Sequence, residues 1–75
     1  MNTIQSNIPG IYALVGRSIA DVERDLILET LKHCLGNRTR AANLLRISIR
    51  TMRNKINEYA SKGVYVPPSK TYLKG

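Results

Sequence analysis

The side chains of this 75-residue chain that are best suited to chemistry are guanidinium, ammonium, amide and hydroxyl groups concentrated between residues 37 and 59. A guanidinium can donate two parallel hydrogen bonds to guanine, and an asparagine amide can pair similarly with adenine. Four such residues, Arg50, Arg53, Asn54 and Asn57, fall on one face of a helix drawn at about 100° per residue. They predict a surface that binds a polyanion and reads base edges. The alternative is a solvated helix face without a partner.

Two helical patterns would position this surface. Asn37 is a good N-cap residue, and Ala41 and Ala42 follow it with small side chains that let crossing helices approach closely. Ser48 is a second N-cap, and apolar residues then recur at helical spacing, at Met52, Ile56 and Tyr59. Two short helices joined by so tight a turn form a helix-turn-helix, whose second helix enters a DNA major groove.

Three segments of this region carry a resemblance to a known family: residues 39–42 (Thr-Arg-Ala-Ala), 47–48 (Ile-Ser) and 51–56 (Thr-Met-Arg-Asn-Lys-Ile). They resemble the Fis-type DNA-binding domain, which occurs alone in the nucleoid protein Fis and at the C-terminus of NtrC-like enhancer-binding activators. Residues 47–55 are most similar to the flagellar regulators of that second group. The resemblance covers about residues 15–59 and implies a helical dimer. The activators couple this domain to an ATPase and a receiver, and neither pattern occurs in this sequence.

The resemblance also implies DNA contacts, at Asn37, Thr39, Arg40, Ser48, Thr51, Arg53 and Lys55. The chemistry of the helix face adds Arg50 and Asn54 as readers of base edges, with Ile49 against a thymine methyl group. The hydroxyl and basic groups that remain would bind phosphates and set the register: Thr39, Arg40, Ser48, Thr51 and Lys55. The sequence departs from the family's pattern at Arg46, where the family usually has glycine, and at Ile49, where Fis has a base-reading arginine.

Residues 18–35 predict the longest helix, with Ser18 as its N-cap and Gly36 ending it in the left-handed conformation. Its apolar residues span roughly two-thirds of the circumference, much more than one stripe. A helix that is apolar on two sides in so small a protein needs two partners. We expect one partner to be the helix-turn-helix and the other to be the same helix of a second subunit. The predicted dimer residues are Ile19, Val22, Leu26, Ile27, Leu28, Leu31 and Leu35. The alternative is a monomer in which residues 11–15 cover the extra stripe.

Charge is distributed very unevenly along the chain. Residues 1–35 hold three basic and four acidic side chains, whereas residues 36–75 hold nine basic side chains and one acidic one. Nearly all of the net charge of +7 therefore lies on the helix-turn-helix and the segment after it. Such a distribution is typical of a polyanion-binding protein. A basic helix lying on a membrane surface fits less well, because the apolar stripe of the second helix is needed for the core.

The sequence contains no constellation that predicts catalysis, a metal site or a cofactor. Cys34 and His33 are the single cysteine and histidine, and they are neighbours on a helix, where adjacent side chains diverge by about 100°. The spacing of Cys34 from Ile27 and Leu31 predicts a core position. No apolar run approaches the roughly 18 residues of a membrane span, and no signal peptide is recognisable. We therefore expect a cytoplasmic, nucleoid-associated protein that is not an enzyme.

These patterns predict an all-α fold: a small helix-turn-helix domain with a long dimerisation helix and short extended terminal arms. The predicted organisation is an N-terminal arm at residues 1–17, a DNA-binding domain at 18–62 and a C-terminal tail at 63–75. Residues 11–15 could form an extended arm or one turn of helix, and Val64-Tyr65-Val66 could pack against them as a short strand. The favoured function is a homodimeric regulator that binds double-stranded DNA. The second hypothesis is a protein–protein module that pairs with a related activator and inhibits it.

Overall fold

The computed structural model describes residues 12–70. Within them lie three principal helices, α1 (Ile19–His33), α2 (Arg38–Leu45) and α3 (Ile49–Ser61). Residues 12–14 are also helical, residues 64–70 have no regular secondary structure, and no strand occurs between residues 12 and 70. The all-α prediction is confirmed. Residues 12–14 adopt the helical alternative of the two considered for this segment, and residues 64–66 do not form a strand. The predictions for residues 1–11 and 71–75 lie outside the described residues.

Each helix begins at the N-cap residue that the sequence predicts. The Ser18 hydroxyl accepts a hydrogen bond from the Asp21 N–H at 3.0 Å. The Asn37 side-chain oxygen accepts one from the Arg40 N–H at 3.0 Å, and the Ser48 hydroxyl accepts one from the Thr51 N–H at 3.0 Å. A cap oxygen satisfies one of the backbone donors that have no partner inside the helix. Short polar side chains therefore fix the N-terminal ends of all three helices.

Two left-handed residues end α1. Gly36 has φ 82°, as predicted, and its N–H donates to the Leu31 carbonyl at 2.8 Å. Leu35, immediately before it, also has a positive φ of 56°, which the sequence did not indicate. Glycine adopts this conformation without steric cost, whereas leucine does not. The chain reverses here within a few residues, and α2 starts beside the end of α1.

The core lies where the three helices meet. It is formed by Ile27, Leu31 and Cys34 of α1 and its C-cap, Ala41 and Ala42 of α2, and Met52, Ile56 and Tyr59 of α3. The two alanines are buried, so the backbone of α2 can approach both neighbours closely. Burying each large side chain contributes on the order of 1.5–3 kcal/mol. Cys34 is a core residue, as its spacing predicts.

The apolar residues of α1 divide among three directions. Ile27 and Leu31 are 4% and 0% exposed in the protomer's own core, so they have no surface left for the subunit contact predicted for them. The apolar surface of α1 is wide because it carries these core residues and also apolar residues that face elsewhere. Ile19 and Leu26, which are 85% and 55% exposed, point away from that core with half-exposed Val22 between them.

Leu28 and Leu35, the remaining two predicted dimer residues, lie near the C-terminal segment. Leu28 is half-buried and lines a groove with Tyr65 and Pro67. Leu35 is exposed and lines a second groove with the same two residues. Among the described residues, the large apolar side chains of α1 that lie away from both the core and the C-terminal segment are therefore Ile19, Val22 and Leu26.

Residues 64–70 form an extended strap that runs back over the helices. Val64 and Val66 pack against the core, and the Lys70 N–H donates to the Leu35 carbonyl at 3.1 Å. The strap passes so close to Gly36 that a Cβ atom there would lie 1.9 Å from the Pro68 carbonyl oxygen. Within the described residues, the first part of the segment predicted to be a C-terminal tail thus packs on the helices.

The turn between α2 and α3 allows a test of backbone strain. Arg46 caps α2 in the left-handed conformation, with φ 61° and ψ 40°. Replacing Arg46 by glycine is expected to raise the free energy of unfolding by up to about 1 kcal/mol, because glycine adopts this conformation without a Cβ penalty. Chemical denaturation of the purified protein measures the difference.

The matched control is Arg40→Gly, which removes the same charge from a helical position. It should lower the free energy of unfolding by about 0.5–1 kcal/mol. If both substitutions change stability in the same direction, the left-handed conformation of Arg46 is not a source of strain.

Candidate nucleic-acid interface

Helix α3 is divided into a buried side and a fully exposed side. Met52, Ile56 and Tyr59 are buried against α1 and α2. The opposite side carries Arg50 and Asn54, both exposed. Because the apolar stripe is buried in the core, the rotation of α3 about its own axis is fixed. The polar face predicted from the sequence must therefore point to solvent.

Charge pairing within the described residues leaves the helix-turn-helix strongly positive. The chain has five acidic side chains, and all five are engaged in ion pairs: Asp21 and Asp25 with Arg24, Asp25 also with Arg17, Glu29 with Lys32, Glu23 with Lys55 and Glu58 with Lys62. Four of these five carboxylates lie on α1 and mostly pair with cations nearby in sequence. Three of the four carboxylates of α1 are therefore paired with cations on α1 or just before it.

The guanidinium groups of the helix-turn-helix have no such partner in residues 12–70. Arg40 is on α2, Arg46 is in the turn, and Arg50 and Arg53 are on α3; each is exposed and in no ion pair with a described carboxylate. Exposed cations without counter-charges produce a positive potential that attracts polyanions. The most positive described part of the molecule is also the part whose side chains are predicted to read base edges.

Lys55 departs from this pattern. Its ammonium donates to the Glu23 carboxylate at 3.1 Å, linking α3 to α1, and it is half-buried. The hydrogen bond with Glu23, aided by the charge of that carboxylate, raises the pKa of Lys55 above its ordinary value. Lys55 therefore stays protonated, but part of its charge is compensated. Of the predicted phosphate-binding residues, it is the one with a carboxylate partner in the described part of the chain.

Three predicted contact residues also shape the helix ends. Asn37 and Ser48 are N-caps, and the Ser48 hydroxyl bonds with the Thr51 hydroxyl at 3.0 Å. Ser48 and Thr51 remain exposed, so both can meet a second partner. Their geometry at the start of α3 orients hydroxyl groups and free backbone N–H donors to the same region, an arrangement that favours phosphate.

The other two predicted contacts are placed differently. Thr39 is exposed in the first turn of α2. Ile49 is half-buried and packs against the core at the start of α3, so only part of its side chain could meet a thymine methyl group. The described structure brings Arg40 and Ser48 to the starts of two adjacent helices. It leaves Arg50, Arg53 and Asn54 along the exposed part of α3.

One basic residue at this surface is missing from the DNA contacts named above, although it opens α2 with Thr39 and Arg40, where the sequence favours phosphate binding. Arg38, the first residue of α2, donates from Nη1 to the Gly36 carbonyl at 2.7 Å and to the Pro67 carbonyl at 2.8 Å. It lines a groove with Arg53, Ile56 and Asn57 of α3. The sequence could not predict this arrangement, because the Pro67 carbonyl lies 29 residues further along the chain.

Comparison with known proteins gives a match to bacterial regulatory proteins of the Fis family over residues 18–59, which is more than half of the chain. The chain belongs to the Fis family. The matched range begins at the N-cap of α1 and ends at Tyr59 in α3, so it contains the core and the helix-turn-helix. The strap lies outside it. The resemblance predicted from the residues is confirmed.

Three relatives illustrate the range of the Fis family. The transcriptional regulatory protein FlbD of Caulobacter vibrioides is 64% identical over 56 residues, which are 75% of this chain and 12% of FlbD. A protein of Xylella fastidiosa named as Fis-like and DNA-binding is 49% identical over 53 residues, 71% of this chain and 56% of that protein. The DNA-binding protein Fis of Aliivibrio fischeri is 39% identical over 49 residues, 65% of this chain and 47% of Fis.

This Fis-family chain therefore spans about half the length of the Fis-like relatives and a much smaller part of FlbD. No solved structure matches the chain. Among residues 12–70, no helix is long and apolar enough to cross a membrane.

The capping role of Ser48 can be tested by measuring stability alone. Ser48→Ala should lower the free energy of unfolding by about 1 kcal/mol, because α3 loses its N-cap. Ser48→Asp keeps a capping oxygen, and its negative charge suits a helix N-terminus, so stability should stay near that of the wild type. Chemical denaturation distinguishes the two variants. Equal destabilisation by alanine and aspartate would contradict the capping role.

Proposed function

We propose that the chain is a homodimeric transcriptional regulator that binds double-stranded DNA with α3 in the major groove. The observation that carries this proposal is the combination on α3 of a fully buried apolar side and an exposed side with Arg50, Arg53 and Asn54. An α-helix fits the major groove, and these side chains match the donor and acceptor patterns of guanine and adenine there. The nucleoid would then be its site of action.

Within this proposal the contacts fall into two classes. Arg50 and Asn54 occupy the outermost part of α3 and would read base edges, together with Arg53 on its flank. Thr39, Arg40, Ser48 and Thr51 surround the starts of α2 and α3 and would bind phosphates, which fixes the register of the protein on the duplex. Asn37 and Ile49 support these positions more than they contact DNA. Lys55 would add a phosphate contact while its ammonium remains linked to Glu23.

Direct reading by α3 can be tested with alanine substitutions. Arg50→Ala, Arg53→Ala or Asn54→Ala should cost roughly 1–3 kcal/mol at one base position of the preferred site, because a bidentate pair is lost. Affinity for scrambled DNA at the same salt concentration should change much less. Fluorescence anisotropy with selected and scrambled duplexes measures both affinities.

The control is Lys62→Ala, which removes a charge that pairs with Glu58 beyond the outer face of α3. It should leave the preference between the two duplexes unchanged. If all three α3 variants weaken both duplexes by one common factor, the face binds DNA electrostatically, and specificity comes from DNA shape.

Dimerisation would bring two such helices to two half-sites of one duplex. The exposed stripe Ile19, Val22 and Leu26 on α1 supports this step, because a small core gains stability when such a stripe is covered. Its three residues follow one another at helical spacing and face away from the protomer's core. Leu28 and Leu35, close to the strap, would lie at the edge of the contact.

The subunit contact can be tested without disturbing the core. Leu26→Asp should shift the protein from dimer to monomer in sedimentation experiments, because an unpaired carboxylate would be buried at the contact. Leu44→Asp is the matched control, since Leu44 is 57% exposed on α2 and Leu26 is 55% exposed. It should leave the mass unchanged. A wild-type protein that stays monomeric at high concentration would contradict the dimer.

A second candidate function uses the same stripe of α1 to pair with a larger relative and hold it in an inactive mixed dimer. The identity with FlbD favours a shared contact surface, because the matched region includes most of this chain. Mixing the purified protein with such a regulator separates the two functions. Salt-sensitive DNA binding by the pure protein supports the first, and mixed dimers with weak intrinsic DNA affinity support the second.

A further inference from the structure

A groove with basic side chains lies on the flank of α3. This groove is lined by Arg38 of α2 and by Arg53, Ile56 and Asn57 of α3. Ile56 is buried and forms its floor, whereas Arg53 and Asn57 are exposed at its edge. Neither arginine is in an ion pair with a carboxylate of residues 12–70. Two guanidinium groups and an amide thus share one open groove without a counter-charge among the described residues.

The hydrogen bonds of Arg38 determine which of its donors remain available. A guanidinium has five N–H donors, of which Nη1 holds two. Both are used: Nη1 donates to the Gly36 carbonyl at 2.7 Å and to the Pro67 carbonyl at 2.8 Å. The Nε and Nη2 donors of Arg38 have no acceptor among residues 12–70. They form the edge of the guanidinium that binds two oxygens of one phosphate side by side.

The strap also makes Arg38 rigid. An arginine side chain loses much rotational freedom when it binds, and a side chain that is already held loses less. Pro67 supplies one of the two fixing carbonyls, and the strap itself is held by Val64 and Val66 in the core and by the Lys70 N–H on Leu35. Arg38 therefore loses most of its conformational entropy when the protein folds, and it loses little more when a ligand binds.

We propose that Arg38, held by the strap, forms with Arg53 and Asn57 a binding site for a phosphate of the DNA backbone on the flank of α3. The inference rests on the proposed DNA-binding function and adds to it a contact residue and a role for residues 64–70. The anion is a backbone phosphodiester, since the groove borders the helix face that would lie in the major groove. Arg38 supplies the bidentate contact, and the strap positions it.

The test measures affinity for a scrambled duplex over a series of salt concentrations, with the full chain. Arg38→Gln should reduce the slope of log affinity against log salt by about one, because one phosphate contact is lost. At fixed salt its affinity should fall about tenfold. Lys32→Gln is the matched control, because it removes one charge from α1, where Lys32 pairs with Glu29. It should leave the slope unchanged.

Arg38→Lys keeps the charge but lacks the planar fork of donors. Its salt slope should match that of the wild type, whereas its affinity should fall severalfold. Full affinity in Arg38→Lys would show that only charge matters and would overturn the bidentate contact. If Arg38→Gln has the salt slope of the wild type, the phosphate site is overturned, and the role of Arg38 is to hold the strap by hydrogen bonds.

The role of the strap is tested by Val66→Ala, which loosens its packing without changing charge. Faster hydrogen exchange of the Lys70 amide should accompany a severalfold loss of affinity at an unchanged salt slope. Faster exchange with full affinity would overturn the positioning role. A wild-type protein with no salt-sensitive DNA affinity contradicts the proposed function itself. If the wild-type protein binds DNA, and Arg50→Ala weakens that binding whereas Arg38→Gln does not, the result contradicts this inference and leaves the proposed function intact.

Discussion

The close packing of α2 between α1 and α3 is the constraint on which the rest of the structure depends. Ala41 and Ala42 are small enough for the α2 backbone to approach Leu31 and Met52, which are both completely buried. Because interiors are packed as densely as crystals, a larger residue at either alanine would push the helices apart. This packing fixes the angle between α2 and α3 and the rotation of α3. Every exposed side chain of the helix-turn-helix takes its direction from it.

The second organising feature is the separation of charge between helices. The carboxylates of α1 pair mainly with cations on or beside α1, so they do not neutralise the arginines of the helix-turn-helix. Surface ion pairs of this kind contribute little stability. Their effect is to keep the negative charge away from α3. The pair between Glu23 and Lys55 is the exception, and it connects the acidic helix to the helix proposed to enter DNA.

The strap connects parts of the chain that are far apart in sequence. It packs two valines on the core and supplies backbone partners to Arg38 and Leu35. It also explains why Gly36 must lack a side chain, for a reason additional to its positive φ: the Pro68 carbonyl occupies the space of a Cβ atom. The end of α1, the start of α2 and the strap thus form one junction, located beside the groove that contains Arg53.

The sequence by itself determined the helices, their caps and the polar face of α3, because these depend on neighbours only a few residues away. Ser18, Asn37 and Ser48 cap as predicted, and Arg46 is left-handed at the position where the family usually has glycine. Only the tertiary structure decided which stripe of α1 faces the core, since Ile27 and Leu26 are equally apolar in a one-dimensional pattern. It also decided that Lys55 pairs with Glu23 and that Pro67 holds Arg38, contacts spanning 32 and 29 residues. Local pattern cannot predict such contacts, because they arise when packing brings distant segments together.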